Sequence, residues 1–248
     1  MYQNMLLFIL IGFVAQIIDG ALGMAYGVSS TTMLLSMGTP PAVASASVHL
    51  AEVFTTLTSG ISHLKLGNVD KKLLKKLVLP GIIGGVLGAY ILTSIPTGVI
   101  KPIVAIYLLI MGIRILYKAR KRIKNKESSY SNNKISIIGL CGGFFDAIGG
   151  GGWGPIVTST LIGNGHDTRY TIGSVNLSEF FVTISEVLTF ILFIKLTHWQ
   201  VIVGLIIGGI IAAPLSAILC KKLPEKVLMR IVGITIILLS IRTIFLVF

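Results

Sequence analysis

Charge is what this chain of 248 residues has least of. Asp, Glu, Lys and Arg together make up 12% of it, where a soluble domain carries about 25%. That shortage excludes a surface facing water all round. Cysteine is scarce too. Cys141 and Cys220 stand alone in or beside apolar runs, with no CxxC spacing and no histidines at ligand intervals, so neither a disulfide framework nor a structural zinc site is expected. They read as small hydrophobes in helix packing. The start, Met1-Tyr2-Gln3-Asn4, lacks a basic n-region and no A-x-A-like site follows, so a removable signal peptide is not expected. No Ser/His/Asp arrangement, HExxH or CxxC suggests an enzyme, and no cofactor is expected.

What is present is apolar: 54% of residues, with a mean hydropathy of +0.91. The net charge of +12 sits in short basic blocks between apolar runs. That pattern fits the positive-inside rule and anionic lipid headgroups better than nucleic acid. A membrane span needs about 20 apolar residues to cross roughly 30 Å of hydrocarbon. Six stretches qualify, at 43–64, 77–92, 99–117, 172–194, 201–219 and 227–247. Two others do not. Residues 5–18 are interrupted by Asp19-Gly20, and residues 135–145 meet Asp146. A glycine-rich break follows each, and then a second short apolar piece, at 28–37 and 155–162. Pieces this short predict half-spans, and irregular backbone at membrane depth needs protein or a watery cavity around it.

The second half repeats the first without gaps at an offset of 127 residues. Asp19 falls on Asp146, Gly23 on Gly150, Tyr26 on Trp153, Gly27 on Gly154 and Thr31 on Thr158. Ser47 then meets Ser174, and Glu52 meets Glu179. Greasy composition alone would not align glycines and acids, so an internal duplication is the organising feature. The predicted fold class is an all-α polytopic membrane protein of two inverted repeats, each a broken or re-entrant helix pair plus three transmembrane helices. The first repeat covers residues 1–117, the second 135–248, with a basic cytoplasmic linker at 118–134 holding Lys118, Arg120, Lys121, Arg122, Lys124, Lys126 and Lys134. Charge supports inversion. The first repeat is basic at Lys65, Lys71, Lys72, Lys75 and Lys76, whereas the second is basic one connection later, at Lys221, Lys222, Lys226 and Arg230. Parallel repeats would leave that second block outside. Glycines spaced by four, Gly81 with Gly85, Gly84 with Gly88, and Gly204 with Gly208, allow close helix approach.

Five of the nine acidic residues fall at membrane depth: Asp19, Glu52, Asp146, Glu179 and Glu186. An acid there is costly unless protonated, paired or wet. Glu52 and Glu179 each have a polar neighbour three residues earlier, His49 and Asn176, on the same helix face. Ser47 and Ser174 are close by. Two readings stand: a proton-coupling cavity, with Glu52, Glu179 and Asp146 as coupling groups, or structural hydrogen bonds between the repeats. His49 with Glu52 is too sparse for a metal site alone, so no metal is expected. The glycine breaks suggest an anion, because a helix start offers free N–H donors. Ser29, Ser30, Thr31 and Thr158 would add hydroxyls, Gly23, Gly150 and Gly151 close backbone approach, and Tyr26 and Trp153 walls. Plain helix crossing at glycine is the simpler alternative.

Asp19-Gly20-Ala21-Leu22-Gly23 and the run from Gly142-Gly143-Phe144-Phe145-Asp146 to Gly149-Gly150-Gly151-Gly152 resemble the paired glycine-rich signatures of the TauE/SafE sulfite exporter family. Ala44-Ser45-Ala46-Ser47, Gly60-Ile61-Ser62-His63 and Gly67-Asn68-Val69-Asp70 are similar to its first repeat. The first repeat departs from a run of glycines, reading Gly23-Met24-Ala25-Tyr26-Gly27. The resemblance implies a multi-pass transporter of the bacterial inner membrane for sulfite, organosulfonates or related small acids. The expected partners are a small anion and membrane lipids, not nucleic acid, and a homo-oligomer is left open. The rival reading is a metal or Na⁺ transporter or channel built on the same intramembrane acids.

Overall fold

The computed structural model describes residues 2–22, 24–120, 132–194, 198–219 and 225–245. Gly23, Cys220, Lys221, Lys222 and residues 121–131 of the expected linker lie outside them. All the described secondary structure is helical. The first half runs α1 (Tyr2–Leu22), α2 (Tyr26–Ser36), α3 (Pro41–Lys65), α4 (Lys71–Ser94) and α5 (Thr97–Arg120). The second runs α6 (Asn132–Gly149), a π-helical turn (Gly154–Thr158) continuing into α7 (Ser159–Gly163), then α8 (Thr168–Phe193), α9 (Trp199–Leu219) and α10 (Glu225–Phe245). Local chemistry fixes several starts. Pro41 opens α3 at a position needing no N–H donor. Asp70 accepts from Lys72 N–H and Leu73 N–H, and Asp167 accepts from Tyr170 N–H, capping α4 and α8.

Every element recurs 127 residues later: α2 on the π turn with α7, α3 on α8, α4 on α9, α5 on α10, with ends shifted by a few residues. The repeats interlock instead of packing as separate lobes. α1 lies along α9, and its counterpart α6 lies along α4; α3 packs on α8 and α5 on α10. Missing side chains permit these crossings. A Cβ on Gly12 would strike the backbone of Leu205, and one on Gly84 or Gly143 would strike carbonyls of α6 and α4. Directions follow from the contacts. Ser59 meets Asn176 while His49 meets Glu186, so α3 and α8 run antiparallel. Gly112 faces Ile237 and Leu116 faces Gly233, so α5 and α10 do the same. Two pairs of repeat-equivalent helices thus run in opposite directions.

The two short apolar regions extend further than the sequence suggested. α1 runs through Asp19-Gly20 to Leu22, and α6 runs through Asp146 to Gly149. The breaks fall after the acids, because the carboxylates are used there, as described below. Among the described residues, three helices are long and apolar enough to span a bilayer by length and hydropathy: Lys71–Ser94, Thr97–Arg120 and Arg169–Phe193. α3, expected to qualify, has the length, but its buried face carries Ser45, Ser47, His49, Glu52, Thr55 and Thr56. Large apolar side chains such as Leu79, Leu188, Leu192 and Ile103 are exposed around the outside, as lipid contact requires. The linker flanks are helical, with Lys118 and Arg120 in α5 and Lys134 in α6.

One end of the bundle gathers the close of α3 and the starts of α4, α6 and α8. Arg169 reaches Asn68 and Leu66 O, the Asp70 N–H donates to Ser174 Oγ, and Ser136 Oγ donates to Lys76 O. Lys65, Lys71, Lys72, Lys75, Lys76, Lys134 and Arg169 share that end. We expect single cysteines replacing Lys72 and Lys226, in a background without Cys141 and Cys220, to react with an impermeant maleimide from the cytoplasmic side alone. Labelling of the two from opposite sides would make the repeats parallel.

Candidate functional site

At the two breaks the chain turns back into the bundle. In the second repeat, Gly150 (φ 65°) and Gly151 (φ 147°) take backbone conformations that favour glycine. The first repeat makes the corresponding bend with Ala25 at φ 107°, an uncommon geometry for a residue with a Cβ. The bends touch each other. A Cβ on Gly27 would lie 2.5 Å from Gly151 Cα and 3.0 Å from Glu52 Oε1. Thr31 Oγ1 donates to Gly150 O at 2.7 Å, and Ser45 Oγ donates to Ala147 O at 2.6 Å. The glycines are thus needed for backbone-to-backbone contact between the repeats.

Several of the N–H donors that follow the breaks are already taken. Gly152 N–H and Trp153 N–H donate to Asp146 Oδ1 at 2.5 and 2.9 Å, and Tyr26 N–H donates to Asp19 Oδ1 at 3.3 Å. These are the same interaction at repeat-equivalent positions: an acid at the end of one helix caps the short helix beyond the break. The sequence reading left those donors open for a substrate. Here the protein's own carboxylates occupy them.

The other oxygen of Asp146 points into a cluster assembled from both repeats. His49 Nε2 lies 2.8 Å from Glu186 Oε2, 3.5 Å from Asp146 Oδ2 and 4.0 Å from Glu52 Oε2, all buried. His49 Nδ1 lies 2.7 Å from Ser45 O. A carbonyl only accepts, so Nδ1 carries hydrogen and Nε2 is the atom offered to the acids. Ligand atoms of His49, Asp146 and Glu186 lie within 4.8 Å of one another. The cluster can share one positive charge, a proton or a metal ion, although no metal site was expected from the sequence.

Asp19, Tyr26, Gly27, Glu52, Asp146, Gly151 and Glu179 line a cavity of about 10 Å³ between the breaks, room for about one water. In this conformation the site is too small for an anion of several atoms. Thr31 and Gly150 meet at its edge. Ser30 and Thr158 are buried and Ser29 half-buried on the short helices, but they do not line it. Trp153 is anchored by Nε1–H to Val175 O and packs against Leu77, Val157 and Val182. Three expected residues lie elsewhere. Ser47 Oγ donates within α3 to Val43 O, Ser174 holds Asp70, and Asn176 accepts from Ser59. Glu186 was counted among the acids at membrane depth but given no role. Its repeat equivalent is Ser59, so matching the halves could not single it out. On the α5 side, Arg114 donates to Thr160 Oγ1 at 2.9 Å, and Lys118 Nζ approaches Met24 Sδ at 3.8 Å. A depression of about 590 Å³ at the basic end, lined by Lys71, Lys72, His166 and Tyr170, shares no residue with the cluster.

The family described as Sulfite exporter TauE/SafE matches residues 8–243. The "Probable membrane transporter protein YtnM" of Bacillus subtilis (strain 168) is 43% identical over 248 residues, covering 97% of this chain and 83% of that protein. No solved structure matches.

The two caps should differ in worth. Asp146→Ala strands two buried N–H groups and should cost about 2–4 kcal/mol in reversible unfolding in detergent. Asp19→Ala, with one longer bond on a half-buried acid, should cost about 1 kcal/mol. Equal losses would mean that the caps do not hold the bends.

Proposed function

We propose that this chain, which belongs to the sulfite exporter TauE/SafE family, is a secondary transporter moving a small sulfur-containing anion, such as sulfite or an organosulfonate, in step with protons. Multi-pass membrane transport itself follows from the family and the relative. The reading of anion and proton rests on one observation: the amides best placed to hold an anion, those of Gly152 and Trp153, are already held by Asp146. An anion and an ionised Asp146 cannot share them. A proton on Asp146 weakens its grip on the amides and removes the charge that would repel the substrate, so proton arrival and substrate entry are linked. Glu52 and Glu179, at equivalent positions beside the cavity, are the groups through which that proton passes.

Two further features support the reading. Arg114 and Lys118 bring positive charge toward the short helices from the basic end, giving an anion an approach. Antiparallel pairing of equivalent helices suits repeats inverted in the membrane, in which motion of one repeat against the other opens the small cavity to alternate sides. One observation favours a second reading, transport of or by a metal ion or Na⁺: the convergence of His49, Asp146 and Glu186.

The test begins with purified protein and a panel of sulfite, thiosulfate, organosulfonates and carboxylates, since a ligand of the folded state raises its unfolding temperature. In liposomes the stabilising anion should move protons with it. Glu52→Gln should keep ligand-induced stabilisation while flux driven by a pH gradient falls about tenfold or more. If Glu52→Gln pumps normally, Glu52 is structural. Flux that follows a metal gradient and ignores every anion would establish the second reading.

A further inference from the structure

The duplication permits a comparison inside one molecule. Counting 127 residues along, His49 corresponds to Asn176, and Ser59 corresponds to Glu186. Because α3 and α8 cross antiparallel, each crossing appears twice. One holds His49 against Glu186 at 2.8 Å; its equivalent holds Ser59 Oγ donating to Asn176 Oδ1 at 3.0 Å. The same place in the fold is built once from two titratable groups and once from two that do not titrate in water. Of the five acids at membrane depth, four pair with an acid in the other repeat, Asp19 with Asp146 and Glu52 with Glu179, and Glu186 alone does not.

The charged copy also has room made for it. A Cβ on Gly85 of α4 would lie 2.5 Å from Glu186 Oε1, and the equivalent residue in α9 is Ala212. His49 Nδ1 is committed to Ser45 O, which leaves Nε2 2.8 Å from Glu186 Oε2, both atoms buried and neither with a formed hydrogen bond. Two buried polar groups this close and otherwise unsatisfied are costly unless a proton joins them, so a proton belongs to the pair. The titratable groups facing the pair are Glu52 from α3, Asp146 from α6, and, further along the cavity, Asp19 from α1 and Glu179 from α8. From α4, Gly85 lies against Glu186.

We infer that His49 and Glu186 form the single proton-holding site of this transporter, and that Ser59 with Asn176 is its permanently neutral counterpart. Only one of the two symmetry-related crossings stores the transported proton, so loading is one-sided although the scaffold is two-fold. This deepens the proton-coupled reading above and rests on it. It gives Glu186 the role of proton partner, with Glu52 and Asp146 passing the proton to and from the pair.

The fold itself supplies the control. The double variant His49→Asn with Glu186→Ser writes the neutral pair into the charged position, a combination this fold already accommodates at the equivalent crossing. It should unfold close to the wild-type temperature and still be stabilised by the transported anion. Proton movement with the anion should fall about tenfold or more. Each single variant should be less stable than the double, since it leaves one buried partner unmatched. Nitrogen-15 spectra of the histidines need no substrate. They should show His49 changing protonation in the wild type and losing that change in Glu186→Ser. A double variant with unimpaired proton-linked flux would overturn the inference, as would spectra in which His49 titrates independently of Glu186. A wild type with an intact His49–Glu186 titration but no proton-linked anion flux would instead defeat the transport reading and leave the pair standing.

Discussion

A carboxylate that caps a helix across a break in the chain is the interaction on which the rest of this structure depends. Asp146 ties the end of α6 to the start of the helical segment beyond Gly150-Gly151-Gly152, and Asp19 does the same between α1 and α2. An interrupted helix inside a bilayer leaves N–H groups that no water can satisfy. Filling them from the preceding helix keeps the bend stable and brings one acid per repeat to the centre of the bundle. Those acids draw in the remaining features: a histidine, two further carboxyls, and glycines that let the bends touch.

The electrostatic character of the centre follows. Four acids line the central cavity, with Glu186 and His49 beside Asp146, so the centre welcomes positive charge and resists negative charge. Under the proposed anion reading this is a gate, with the cargo refused until the centre has been neutralised. The basic residues stand apart, on α5 and at one end of the bundle.

Much of this could be read from the residues in order. The 127-residue repeat, the short helices and the acids at depth are all local patterns, and the helices fall where the pattern puts them, apart from α1 and α6. Those two ran past their acids because a polar residue followed by glycine looks like an ending unless its side chain is known to cap what comes next. Three-dimensional pairing was harder to see. Ser174 and Asn176 share a sequence neighbourhood with Glu179 but face other partners, Asp70 and Ser59, because α8 is surrounded by helices whose register no local pattern fixes. Glu186 found His49 across 137 positions of chain. Comparison of the halves pointed away from it, since its counterpart is serine.

The interlocking of the halves has a consequence for how such a protein comes to exist. α1 is inserted first, yet the helix it packs along is α9, made near the end of translation. Until then the face of α1 that carries Gly12 has only lipid or a passing neighbour to rest on. α4 waits less, for α6. The native arrangement is therefore assembled late, by helices already in the bilayer finding partners from the other half, and a ribosome that stops after the first half leaves an object with no finished interior.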